Sequence, residues 1–96
     1  MVERRLVDTS QRLKQLKADL QVAEEQLAHF SDQAEDARIR SLVSETPLAD
    51  KEHREARKHS ESMQRYKAEL LEEVRQVEDQ QNQLLDQLLE GDSAKS

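Results

Sequence analysis

The sequence contains no cysteine, so it offers no disulfide framework, no thiolate metal site and no thiol nucleophile. It has one glycine and one proline, Gly91 and Pro47, too little turn chemistry for a sheet with several hairpins. Phe30 and Tyr66 are the only aromatics. With 34% of residues hydrophobic, a globular core of ordinary thickness has too few side chains to fill it. No apolar run approaches the roughly 20 residues of a membrane span, and none has the shape of a signal-peptide core. These absences lead us to expect a soluble, cytoplasmic protein. The net charge of −6 argues against a nucleic-acid binder, which needs a basic footprint.

What remains is charge and helix formers. Charged residues make up 38% of the 96, and Ala, Leu, Glu, Lys, Arg and Gln are abundant. Polarity of this degree is the mark of disorder unless a periodic apolar pattern organises it. Such a pattern is present. With Leu6 as position a of a heptad, the a series runs Leu6, Leu13, Leu20, Leu27, Ala34, Ser41. The d series runs Val2, Thr9, Leu16, Ala23, Phe30, Ala37. That continuous frame is the signature of a coiled-coil seam.

The frame stops near Ser44-Glu45-Thr46-Pro47. Proline suits the first position of a helix, and threonine before it is a good N-cap. A second frame then begins, with Ala49, Ala56, Met63, Leu70, Val77 and Leu84 at d and His53, Ser60, Lys67, Val74, Gln81 and Leu88 at a. Gly91 follows Leu88-Leu89-Glu90, where a C-terminal cap belongs. The expectation is an all-α protein with one domain over about 1–90. Helix one covers about 2–43, the turn about 44–46, helix two about 47–90, and 91–96 form a polar tail.

Two helices of similar length joined by a short link favour an antiparallel coiled-coil hairpin. In such a pair each a layer faces a d layer, so paired residue numbers have a constant sum. Folding about Glu45 gives a sum of 90 and matches Leu6 with Leu84, Leu16 with Val74 and Leu20 with Leu70. It also sets Phe30 against the small Ser60 and Ala34 against Ala56. Thr9 and Gln81 form the least apolar layer, with a hydrogen bond expected between them. Cross-helix ion pairs are expected for Arg12–Glu73, Arg38–Asp50, Arg40–Glu52 and Lys17–Glu78. A parallel dimer kinked at Pro47 is the competing arrangement, but it stacks Lys67, Ser60 and His53 on their own copies. Around His53, in residues 50–62, the seam is weak enough that order without a partner is open.

A lone hairpin buries one stripe of each helix, which leaves its free-energy balance near zero. Apolar residues outside the seam are therefore the candidates for partner contact. Leu71, Leu85 and Leu89, with Val7 beside them, are expected to contact another helix, from a second hairpin in a four-helix bundle (a homo-oligomer) or from a different protein. Ile39, Leu42, Val43 and Leu48 are expected to cap the turn. Between Lys51 and Lys67 there are six basic residues against three acids. Here Lys51, Arg54, Arg57, Lys58 and Arg65 are the candidates for an alternative contact with nucleic acid, against the plainer reading of a solvated face with i,i+4 ion pairs.

No catalytic, metal or cofactor site is expected, and no small-molecule substrate. A two-helix structure has no enclosed pocket in which to tune an acid, base or nucleophile. His53 and His59 are six apart and lie on different helix faces, unlike an i,i+4 metal clamp. One glycine cannot build a phosphate-cradling loop. The stretch Ser44-Glu45-Thr46-Pro47-Leu48-Ala49-Asp50-Lys51-Glu52-His53 and the Gln-rich, Leu-rich end of helix two resemble small actinobacterial coiled-coil proteins of unassigned activity. That resemblance implies a bacterial cytoplasm and carries no functional residues.

Overall fold

The computed structural model describes residues 1–95. It contains two helices, α1 (Val2–Ser44) and α2 (Pro47–Lys95). Only Glu45 and Thr46 separate them. Glu45 adopts a left-handed backbone with φ of 50°, and its N–H donates to the Ser41 carbonyl oxygen at 3.1 Å. One residue in that conformation ends a helix and turns the chain. Thr46 then starts the next helix: its Oγ1 accepts a hydrogen bond from the Ala49 N–H at 3.1 Å, satisfying a donor with no partner inside the helix.

The chain divides into two compact units, Met1–Leu20 with Leu70–Ser96 and Gln21–Glu69. Within the first, the α1 and α2 segments are joined by Arg12–Glu73 at 2.8 Å and by Gln81 Nε2 donating to Ser10 Oγ at 3.0 Å. Within the second, the cross-helix contacts are Lys67–Glu24 at 3.9 Å, Ser31–Ser60 at 3.3 Å, and Ser41 Oγ donating to Asp50 Oδ1 at 2.6 Å. In both units α2 numbers fall as α1 numbers rise, so the pairing is antiparallel. The paired numbers add to between 85 and 91, around the expected 90.

Burial follows the heptad frames. In α2 every predicted a and d position is buried or half-buried from Ala49 to Leu88, and every other position to Gly91 is exposed. In α1 the predicted positions are likewise buried or half-buried, joined by Asp19 and Ser31. Leu13, Leu16, Leu70, Val74 and Leu84 form the core of the first unit. Ala23, Ala37 and Ala49, with Ser60, form that of the second. Ser60 meets Ser31 in a hydrogen bond, and among the described residues no buried side-chain polar atom lacks a partner.

Three local expectations are corrected. The second helix does not end at Glu90 but continues to Lys95, with Gly91 inside it. No glycine has positive φ, so Gly91 does not form the left-handed cap. Such a cap is secured by an apolar residue just beyond it, and Asp92-Ser93 provides none. The expected polar tail is therefore helical through residue 95; Ser96 lies outside the described residues. The Thr9–Gln81 layer does not close on itself either. Thr9 Oγ1 donates to the Leu6 carbonyl in its own helix at 2.9 Å, as helical threonines commonly do, and Gln81 turns to Ser10. Of the four expected cross-helix ion pairs, Arg12–Glu73 forms. Arg38 instead bonds Glu35, one helical turn away, through Nε and Nη2 at 3.1 and 2.7 Å. Among the described residues Arg40 and Lys17 make no ion pair.

Candidate interaction surface

The a and d seam consumes one stripe of each helix, and the apolar residues off that stripe stay in solvent. In the first unit Val7, Leu71, Leu85 and Leu89 are 55%, 47%, 42% and 63% exposed. Leu71 and Leu85 each directly follow a buried d residue, Leu70 and Leu84. Leu89 lies one helical turn beyond Leu85, on the same side of the helix. All four partner candidates are thus available, as their positions in the heptad require. The first unit also has a shallow groove over Thr9 and Leu84, edged by Arg5, Asp8, Gln80, Gln83 and Gln87. This amide-lined groove was not anticipated, although Gln80, Gln83 and Gln87 already share one helix face by spacing.

In the second unit Ile39, Leu42, Val43 and Leu48 are 48% to 80% exposed. They do not close over the turn as expected. With only Glu45 and Thr46 between the helices, no further chain is present at the link for these side chains to fold against. Val22 and Tyr66 are further exposed apolar residues here.

The five basic candidates, Lys51, Arg54, Arg57, Lys58 and Arg65, are all exposed. Lys51 pairs with Glu55 at 4.0 Å and Arg57 with Glu61 at 3.3 Å, each four residues along the helix. Arg65 donates to Ser62 Oγ at 3.1 Å. Opposite this basic run, α1 supplies Glu24, Glu25, Asp32, Glu35 and Asp36, and Glu24 reaches Lys67. The second unit as a whole holds eight Lys and Arg against eleven Asp and Glu. The basic run is therefore outnumbered by acids inside its own unit, whose total charge is negative.

Two carboxylates are held below their ordinary range. Hydrogen bonds from Arg38, and then its charge, lower Glu35, with a smaller contribution from His53. Hydrogen bonding from Arg75 lowers Glu72 against desolvation, helped by the Arg75 charge and a hydrogen bond from Gln76. Both groups lie on the surface, and their guanidinium partners are shifted upward in return. These are helix-surface ion pairs and they set up no acid–base chemistry. His59 stacks on Phe30 with ring centroids 5.7 Å apart and planes 19° from parallel, while His29 meets the same ring at a tilt. His53 is half-buried at its seam position. Among the described residues no three His, Asp or Glu side chains converge as metal ligands, and no helix is long and apolar enough to cross a membrane. No family model matches the chain, and neither does any curated protein or solved structure.

Proposed function

We propose that this chain is a non-catalytic helical interaction module that binds another protein, or a further copy of itself, by helix–helix contact. The observation that carries the reading is the exposure of Val7, Leu71, Leu85 and Leu89 in a unit whose own seam is already closed. Each leucine that leaves water on docking contributes roughly 1.5–3 kcal/mol, scaled down by the fraction already covered. Several together are of the order that a specific helix-in-groove contact uses. The net negative charge of the second unit favours this reading over nucleic-acid contact through Lys51, Arg54, Arg57, Lys58 and Arg65.

The test is recovery of a tagged full-length chain from its native cell at mild salt, beside a Leu85→Glu variant. Helicity by circular dichroism should be unchanged in the variant, because Leu85 lies outside the seam. A partner protein or self-assembly present with the parent and absent with the variant is the expected result. Identical partners and identical mass for both chains would overturn the assignment of this surface.

A further inference from the structure

From Lys51 to Asp86 every seventh residue of α2 is charged: Lys51, Lys58, Arg65, Glu72, Asp79, Asp86. All six are exposed, and in the heptad frame they occupy the position farthest from the seam. The three basic residues belong to the second unit and the three acidic ones to the first. We propose that two copies of the chain pair with α2 against α2 in antiparallel sense. The acidic stripe of the first unit in one copy then lies on the basic stripe of the second unit in the other. This rests on the reading above, that the exposed helix faces of this chain take another helix, and it names the partner as a second copy.

Charge selects that orientation. Parallel pairing in register sets each stripe against its own copy, acid on acid and base on base. Antiparallel pairing centred on either unit alone does the same. Antiparallel pairing with residue numbers adding to 137 sets Lys51 against Asp86 of the partner copy, Lys58 against Asp79, and Arg65 against Glu72. In a two-fold pair each contact is made twice. The small Ala68 comes to the centre, where close approach is needed, and Glu61 comes beside Arg75 of the partner copy. Glu69 meets its own copy, an unfavourable contact in the register.

The stripe is ready to exchange its present partners. Lys51 reaches Glu55 only at 4.0 Å, and Glu72 and Asp79 share Arg75. Among the described residues Lys58 and Asp86 make no ion pair. Exposed pairs of this kind are individually weak, so the charges choose orientation and register, and the pairing they make is weak and salt-sensitive.

Sedimentation equilibrium of the full chain tests the pairing, with Lys58→Glu, Asp79→Lys and the double variant measured beside it. All three substitutions are on exposed helix positions, and circular dichroism verifies that folding is retained. The expected parent is a dimer that weakens as salt rises toward about 1 M, where charges are screened beyond about 3 Å. Each single reversal should weaken it about tenfold or more, since an attraction becomes a repulsion at two places. The double variant should return to within about threefold of the parent. A dimer indifferent to both single reversals, or a double variant as weak as the two singles combined, would overturn this register while leaving helix docking intact. A parent that stays monomeric to about 1 mM, the weak end of specific association, would overturn self-pairing altogether. The Leu85→Glu recovery experiment would then decide separately whether a different protein occupies the surface.

Discussion

The two units share one heptad frame and are built from different side chains. The seam of the first is aliphatic: Val2, Leu6, Leu13, Leu16 and Leu20 from α1 with Leu70, Val74, Val77, Leu84 and Leu88 from α2, interrupted only by Thr9 and Gln81. The seam of the second is small or polar: Ala23, Ala34, Ala37, Ser41, Ala49, Ala56 and Ser60, with His53 and Lys67, and with Leu27, Phe30 and Met63 as its larger members. The first therefore gains more from removing apolar area from water. The second relies on small residues, which let the helix backbones approach, and on polar cross-links such as Ser41–Asp50 and Ser31–Ser60. Identical periodicity can thus accompany unequal stability, because period sets which residues face inward and side-chain volume sets what that orientation is worth.

The largest break in this comparison should come from Leu16→Ala. Leu16 is 1% exposed, and truncating a buried leucine costs about 2–5 kcal/mol, a large share of what a chain this size has available. Loss of most helical signal at ambient temperature is expected; a midpoint within a few degrees of the parent's would show that the first unit does not dominate. The converse change, Ala37→Leu, enlarges a residue 2% exposed in the unit with the small seam. Overpacking there should cost about 1–3 kcal/mol, read as a lower denaturation midpoint, and a stabilised variant would mean that the small seam has slack.

Smaller effects of opposite sign are expected at the link. Thr46→Ala removes the cap on Ala49 and should cost about 1 kcal/mol. Glu45→Gly relieves a left-handed non-glycine residue and should stabilise by about 0.5–1 kcal/mol, partly offset by the greater freedom of glycine in the unfolded chain. Equal midpoints for all three chains would show that the link has no thermodynamic weight. The smallest effect is electrostatic. Glu35 and Glu72 have depressed folded-state pKa values, so their stabilisation is fully present above the ordinary carboxylate range and is lost as pH falls through the depressed values. Replacing both by Gln should flatten the acid limb of a stability–pH curve slightly and leave neutral pH almost unchanged.

The fold was legible because it depends on periodicity and on two strong punctuation marks. A seven-residue repeat identifies the inward stripe without knowledge of the partner, and Thr46-Pro47 marks a helix start by chemistry that needs no tertiary context. The antiparallel register followed from volume and charge matching over many layers, where single errors average out. What was not legible depended on choices between nearly equal alternatives. Arg38 had Asp50 across the seam and Glu35 one turn away, and the local partner needs less side-chain ordering. Gly91 permits a left-handed cap without requiring one. Asp19 and Ser31 became half-buried off the frame, because exposure at the edge of a two-helix seam depends on how neighbouring side chains lie. The exposed leucines of the proposed interaction surface were found by the same periodicity, as residues the frame leaves unused. The amide groove was not, because glutamines on a helix face look like ordinary solvated residues until a neighbouring helix forms the other wall.

The two-residue link has a kinetic consequence. Because the chain reverses once, at Glu45 and Thr46, cross-helix contacts of the second unit can close short loops, Ser41 and Asp50 being nine residues apart. Those of the first close long ones, with Arg12 and Glu73 61 residues apart and Ser10 and Gln81 71 apart. On refolding, the cheap short-range closures at the turn form first and are only weakly rewarded, while the closures that hold the hairpin shut span the longest loops and come last.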